Sequence, residues 1–96
     1  MTPDFSSLHN RNETAVFEAI GELAPRYPAI GQDPGLLADV ACVALNRLPP
    51  RYIRHTVDFS FYQSDRERVE QAREVRAAVR HAFEFVQARA LMGARS

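Results

Sequence analysis

Lysine and tryptophan are absent from this chain, and cysteine occurs once, at Cys42. Each absence removes a class of explanation. A single cysteine allows neither an intrachain disulfide nor a cysteine-rich zinc site. His9, His55 and His81 are scattered without ligand spacing, so neither a metal nor a cofactor is expected. No apolar run approaches the roughly 18–20 residues of a membrane span, and the first residues lack a basic and apolar leader pattern. The expectation is a cytoplasmic protein without membrane contact. A glycine-rich phosphate loop, a nucleophile elbow and a metal motif are all missing, which points away from an enzyme. Repeats, linkers and low-complexity runs are missing too.

What remains is a chain of 96 residues, 46% hydrophobic, with material for one core. A single domain over residues 10–91 is expected, with residues 1–9 and 92–96 as flexible ends. The formal net charge is zero, which argues against general nucleic-acid coating, where phosphate contacts supply the affinity. The charge is unevenly spread. Residues 1–46 hold two arginines against six acids (2 − 6 = −4), and residues 47–96 hold ten against six (10 − 6 = +4). Every basic residue except histidine is an arginine, whose planar fork grips phosphates and stacks on rings in ways lysine does not.

Periodicity then divides the chain. Asn10 followed by Glu13 reads as a capping box opening a helix, with Val16, Phe17, Ile20, Leu23 and Ala24 on one side. Glu13 projects along that apolar side, either as the cap or as a partner for a later arginine. Pro25 and Pro28 end the helix, and Gly31 begins a turn. Asp33-Pro34 starts a second one, as an N-cap with proline at the first helical position. Leu37, Val40, Ala41, Ala44, Leu45 and Leu48 give it a wide apolar arc, widened further by Leu36 and Val43. Asp39 and Asn46 share its remaining face with Cys42, which reads as a small packing residue.

Pro49-Pro50 stop that helix, because proline disfavours helical geometry in the residue before it and donates no N–H. Alternation follows: Ile53, Val57, Phe59 and Phe61 are apolar, while Arg54, Thr56, Asp58 and Ser60 are polar. That is a half-buried strand, with no second strong strand visible. A lone strand leaves backbone groups unpaired, so the same strand from a second copy is the economical partner, with a short segment inside 25–32 as the rival. Ser64 and Glu67 form another capping box, and a third helix is expected from about Asp65 to Leu91. Its apolar stripe is Ala72, Val75, Val79, Ala82, Phe83, Val86 and Ala90. Beside it runs a basic stripe of Arg73, Arg76 and Arg80, which is either a solvated face paired to Glu70 and Glu84 or an anion-binding or partner-facing surface. The fold class expected is mainly α, with three helices and one strand that pairs across a homodimer two-fold.

The corner Ala44-Leu45-Asn46-Arg47-Leu48-Pro49-Pro50-Arg51-Tyr52 collects cations, an amide and a ring on a stiff backbone. Arg47 or Arg51 can fork onto a phosphate, Tyr52 can stack, and Asn46 can read a base edge. The same arginines could instead pair with Asp39, Glu13 or Asp58, leaving Tyr52 to pack. The run from Asp39 to Tyr52, with Asn12-Glu13 and Val16 before it, resembles the late-competence ComFB family over nearly the whole chain. The resemblance implies a small, mostly helical homodimer that receives a cyclic dinucleotide, cyclic di-GMP or cyclic di-AMP, and passes the signal to a regulatory protein. For such a ligand the expected contacts are Arg47 and Arg51 on phosphate, Asn46 and Tyr52 on base or ribose, and Asp39 orienting an arginine, with Asn12 and Glu13 as further candidates. Cysteines that hold a metal in some members of that family are missing here, with none between Gln32 and Ala38. The arginine pair also matches the RxxxR of PilZ domains, and Asp58-Phe59-Ser60 the start of their second element. That match breaks at Gln63, where glycine belongs, and PilZ domains are β-barrels. The alternative to a receptor is a plain interaction module whose basic stripe docks an acidic protein.

Overall fold

The computed structural model describes residues 2–55 and 63–95. Three helices carry the fold: α1 (Asn12–Leu23), α2 (Pro34–Arg47) and α3 (Asp65–Arg95). Each packs against the other two. Two short strands, β1 (His9–Asn10) and β2 (Tyr52–Ile53), form an antiparallel pair with His9 opposite Ile53 and Asn10 opposite Tyr52.

The start of α2 follows its sequence signal. Asp33 Oδ1 accepts from the N–H groups of Gly35 (2.9 Å) and Leu36 (3.1 Å), with Pro34 at the first helical position. The Ser64 hydroxyl likewise accepts from the Glu67 N–H (3.2 Å) at the start of α3. That helix runs to Arg95, four residues past the expected end. At α1 the expected capping box does not form. Arg11 is the capping residue and makes no side-chain cap bond. The Asn10 carboxamide oxygen instead accepts from the N–H groups of Asn12 (3.1 Å) and Arg51 (3.2 Å), tying the helix start to the chain beyond the prolines. Glu13 is half-buried and forms no ion pair with an arginine among the described residues.

The core lies where the three apolar faces meet. Val16 and Leu23 of α1, Val40 and Ala44 of α2, and Val79, Ala82 and Phe83 of α3 are essentially sealed from solvent. Ile30, in the turns between α1 and α2, closes one end, and Tyr27 stacks on Phe83 with ring centroids 4.5 Å apart. The wide arc on α2 is explained by its place between two neighbours, for Leu36, Leu37, Ala41, Val43 and Leu45 are half-buried at its margins. Phe17, expected on the apolar side of α1, is 54% exposed at its edge. Cys42 is exposed, not packed, because it lies on the side of α2 turned away from both helices.

The strand at the corner has a partner within its own chain. The backbone of His9, expected at the end of a loose lead-in, and of Asn10, expected as a helix cap, supplies it, and the Arg11 N–H adds a bond to the Arg51 carbonyl (2.6 Å). The rival segment inside 25–32 opens with a 3-10 turn (Ala24–Arg26), so it is not the partner. The expected continuation of the strand through Val57, Phe59 and Phe61 lies outside the described residues.

Candidate functional site

The corner is built by local rules and then clamped from a distance. Leu48 is buried and extended (φ −87°, ψ 140°), the geometry a following proline demands, and its N–H closes the last turn of α2 on Ala44. The Pro49 carbonyl accepts from the side-chain amide of Asn12 (2.9 Å), thirty-seven residues away in sequence. Asn12 is 4% exposed, the one buried polar residue among those described. Its carboxamide oxygen accepts a longer bond from Gln71 (3.4 Å).

From there the hydrogen bonds continue in one direction. Gln63 donates to Gln71 (3.0 Å), and the Arg11 guanidinium donates to Gln63 (2.7 Å). Arg11, Gln63, Gln71, Asn12 and the Pro49 carbonyl thus form a chain with every dipole aligned, its positive end at Arg11. Aligned bonds of this kind polarise one another in a low-dielectric setting. The chain crosses from the start of α1 to α3 and back to the corner, and it fixes the Arg11 side chain.

Two connected concavities flank this chain. A cleft of about 150 Å³ lies against Asn12, Leu48, Pro49 and Arg51, with Glu67, Glu70 and Glu74 of α3 on its other wall. A larger groove of about 600 Å³ runs between α1 and α3, floored by Ala15, Ala19, Ala72 and Val75 and rimmed by Arg68, Arg76, Glu18 and Glu22. Arg11, Gln63 and Gln71 line both. Burial holds the Arg11 guanidinium below the usual arginine range, and the positive charges of Arg51 and Arg68 act in the same direction.

Of the ligand residues expected from sequence, Asn12 and Arg51 lie on this cleft. Asn12 spends its amide on the corner. Asp39 and Asn46 share the exposed face of α2, where Asn46 donates back to the Cys42 carbonyl (3.0 Å). Arg47 and Tyr52 are exposed, Tyr52 at 65%, and with Glu13 they line neither concavity. Neither Arg47 nor Arg51 pairs with Asp39 or Glu13, and Asp58, the other expected partner, lies outside the described residues. The basic stripe is split: Arg76 reaches Glu22 of α1 (3.0 Å), whereas Arg73 and Arg80 are exposed with no ion pair among the described residues.

The sequence reading missed Arg11, Gln63, Gln71 and Arg68. Gln71 had a usable signal, since it stands one turn before Val75 on the apolar stripe of α3. A glutamine there needs partners, and it has them. Among the described residues no group of three or more His, Cys, Asp or Glu is placed to hold a metal ion, and no helix is long and apolar enough to cross a membrane.

Compared with known proteins, residues 9–90 match the family model for the late competence development protein ComFB. No curated protein and no solved structure matches the chain.

Proposed function

The chain belongs to the ComFB family of late competence development proteins, and from that premise we propose a receptor for a cyclic dinucleotide second messenger, working as a homodimer. The observation that carries the reading is the state of the corner arginines. Arg47 and Arg51 flank two prolines on a clamped backbone, and neither is taken up by Asp39 or Glu13. Guanidinium groups held this way suit a phosphodiester, which wants forked donors. A cyclic dinucleotide has two such groups related by a pseudo-two-fold, so a two-fold dimer can offer matched arginines from each chain. Asn46 and Tyr52 then contact base or ribose, and Asp39 orients an arginine. No catalytic step is proposed.

Calorimetry against cyclic di-GMP and cyclic di-AMP, with linear and mononucleotide controls, tests this. One of the two should bind. Arg47→Ala or Arg51→Ala should weaken it by roughly a hundredfold or more, because each substitution removes a charge-assisted contact twice, at about 1.5–3 kcal/mol per contact. Arg89→Ala, beside Phe85 near the far end of α3, should bind as wild type. No heat and no thermal shift with either ligand removes the receptor reading.

A second reading then takes its place, supported by the exposed Arg73 and Arg80 on the outer side of α3. It is an interaction module that docks an acidic protein. In the receptor reading the same surface passes the signal to a regulatory protein.

A further inference from the structure

We infer that Asn10 is a positioning residue for Arg51: its side-chain oxygen takes the first backbone N–H beyond the two prolines and so sets where the Arg51 guanidinium meets the ligand. The ligand rests on the receptor reading above; the hold on Arg51 does not.

The corner leaves few ways to hold Arg51. The Leu48 N–H closes the last turn of α2 on the Ala44 carbonyl, and Pro49 and Pro50 have no N–H to offer. The Arg51 N–H is therefore the first donor past Leu48, and it goes to the Asn10 side chain (3.2 Å). On the other side of the same residue, the Arg51 carbonyl accepts from the Arg11 N–H. Both peptide groups that flank the Arg51 Cα are thus tied down, and with them the direction in which its side chain leaves the backbone. That side chain lines the cleft beside Asn12, Leu48 and Pro49, and it forms no ion pair among the described residues.

The partners define the atom. Both groups that meet the Asn10 carboxamide are N–H donors, so its oxygen faces them. The start of α1 uses only one of the two bonds, from the Asn12 N–H (3.1 Å). The other reaches 41 residues along the chain to Arg51 and does nothing for the helix. A root held in advance leaves the arginine less freedom to lose when it binds. The Asn10 backbone separately pairs with Tyr52 in the ladder. Removing the side chain leaves that pairing in place, so a substitution here separates the hold on Arg51 from the strand.

The test combines amide hydrogen exchange with calorimetry against cyclic di-GMP and cyclic di-AMP, on the full chain. Arg51 is exposed, yet its amide should exchange slowly in the wild type; free exchange there overturns the inference without any variant. Asn10→Ala should speed that exchange about tenfold, and Asn10→Asp, which keeps an oxygen at the same reach, should restore it. Asn10→Ala should also weaken the dinucleotide that binds about tenfold. In an Arg51→Ala background the same substitution should cost less than about twofold, because its effect passes through Arg51. Gly31→Ala, which strains the turns beyond the other end of α1, should leave Arg51 exchange and affinity at their wild-type values. Unchanged Arg51 exchange in folded Asn10→Ala overturns the inference whether or not a dinucleotide binds. So do additive losses in the double variant, which leave Asn10 with a structural role alone. If no dinucleotide binds but Arg51 exchange follows Asn10 as expected, the receptor reading falls and Asn10 stands as the residue that positions Arg51.

Discussion

Asn12 is held between the Pro49 carbonyl and Gln71, with almost no access to water. Replacing it with alanine removes the side-chain partner of the Pro49 carbonyl and cuts the chain that fixes Arg11. Asn12→Ala should therefore lose about 1–3 kcal/mol in urea unfolding. A loss below about 0.5 kcal/mol would mean that water takes over the corner carbonyl, as ordered waters do elsewhere. Gly31 is constrained in another way. Its φ is negative, but an added Cβ would collide with the Ala24 carbonyl oxygen and lie 3.0 Å from that of Tyr27. Both carbonyls belong to the turns that seat Ile30 and Tyr27 in the core, so they yield only at the expense of packing. Gly31→Ala should cost about 1–3 kcal/mol, measured the same way. Gly21, with open space around its Cβ position, is the control.

The junction of α2 and β2 shows how a local stop becomes a long-range clamp. Pro49 and Pro50 end the helix through the geometry of Leu48, and the next residues reach the Asn10 side chain and the β1 backbone. Replacing both prolines with alanine should let α2 continue past Arg47. More helix by circular dichroism and a lower melting temperature are expected. An unchanged melting temperature would show that the Asn10 and Asn12 clamps position the corner without help from the prolines. The far end of α3 behaves differently. At about 1.5 Å per residue, α3 is about 46 Å long against about 18 Å for α1 and 21 Å for α2, so its ends run beyond both neighbours. Leu91 and Met92 are mostly exposed. Truncation after Ala90 should change unfolding free energy by less than about 0.5 kcal/mol.

At the scale of the whole molecule, the open question is association. The strand that suggested a second copy is satisfied at Tyr52 and Ile53 by residues 9 and 10 of the same chain. Residues 56–62, through which that strand was expected to continue, lie outside the described residues, and the symmetry of the proposed ligand supports the homodimer proposal independently. Sedimentation at micromolar concentration should show two chains, with or without ligand. A stable monomer in both conditions would leave only half of a two-fold ligand gripped, and the affinity argument above would lose its doubling. Surface charge offers little help to either state. The one ion pair linking two helices among the described residues, Arg76 to Glu22, is well exposed, and such pairs contribute about 0–1 kcal/mol.

Signals that act over a few residues were legible in the sequence. Asp33-Pro34 caps α2, Ser64 caps α3, Pro49-Pro50 end α2, and the three apolar stripes mark the core faces. Each depends on backbone sterics or side-chain direction within one or two turns, which residue order alone sets. The family resemblance was legible for a related reason, since it rides on one contiguous run. Pairings between distant residues were not. Asn10 looked like half of a capping box, and only the approach of Arg51 turned its oxygen to the β ladder. Asn12 meets Pro49 across 37 residues, Arg11 meets Gln63 across 52, and Gln71 meets Asn12 across 59. No spacing rule reaches that far. A polar side chain takes whichever partner packing brings within about 3 Å, and packing is decided by all three helices at once.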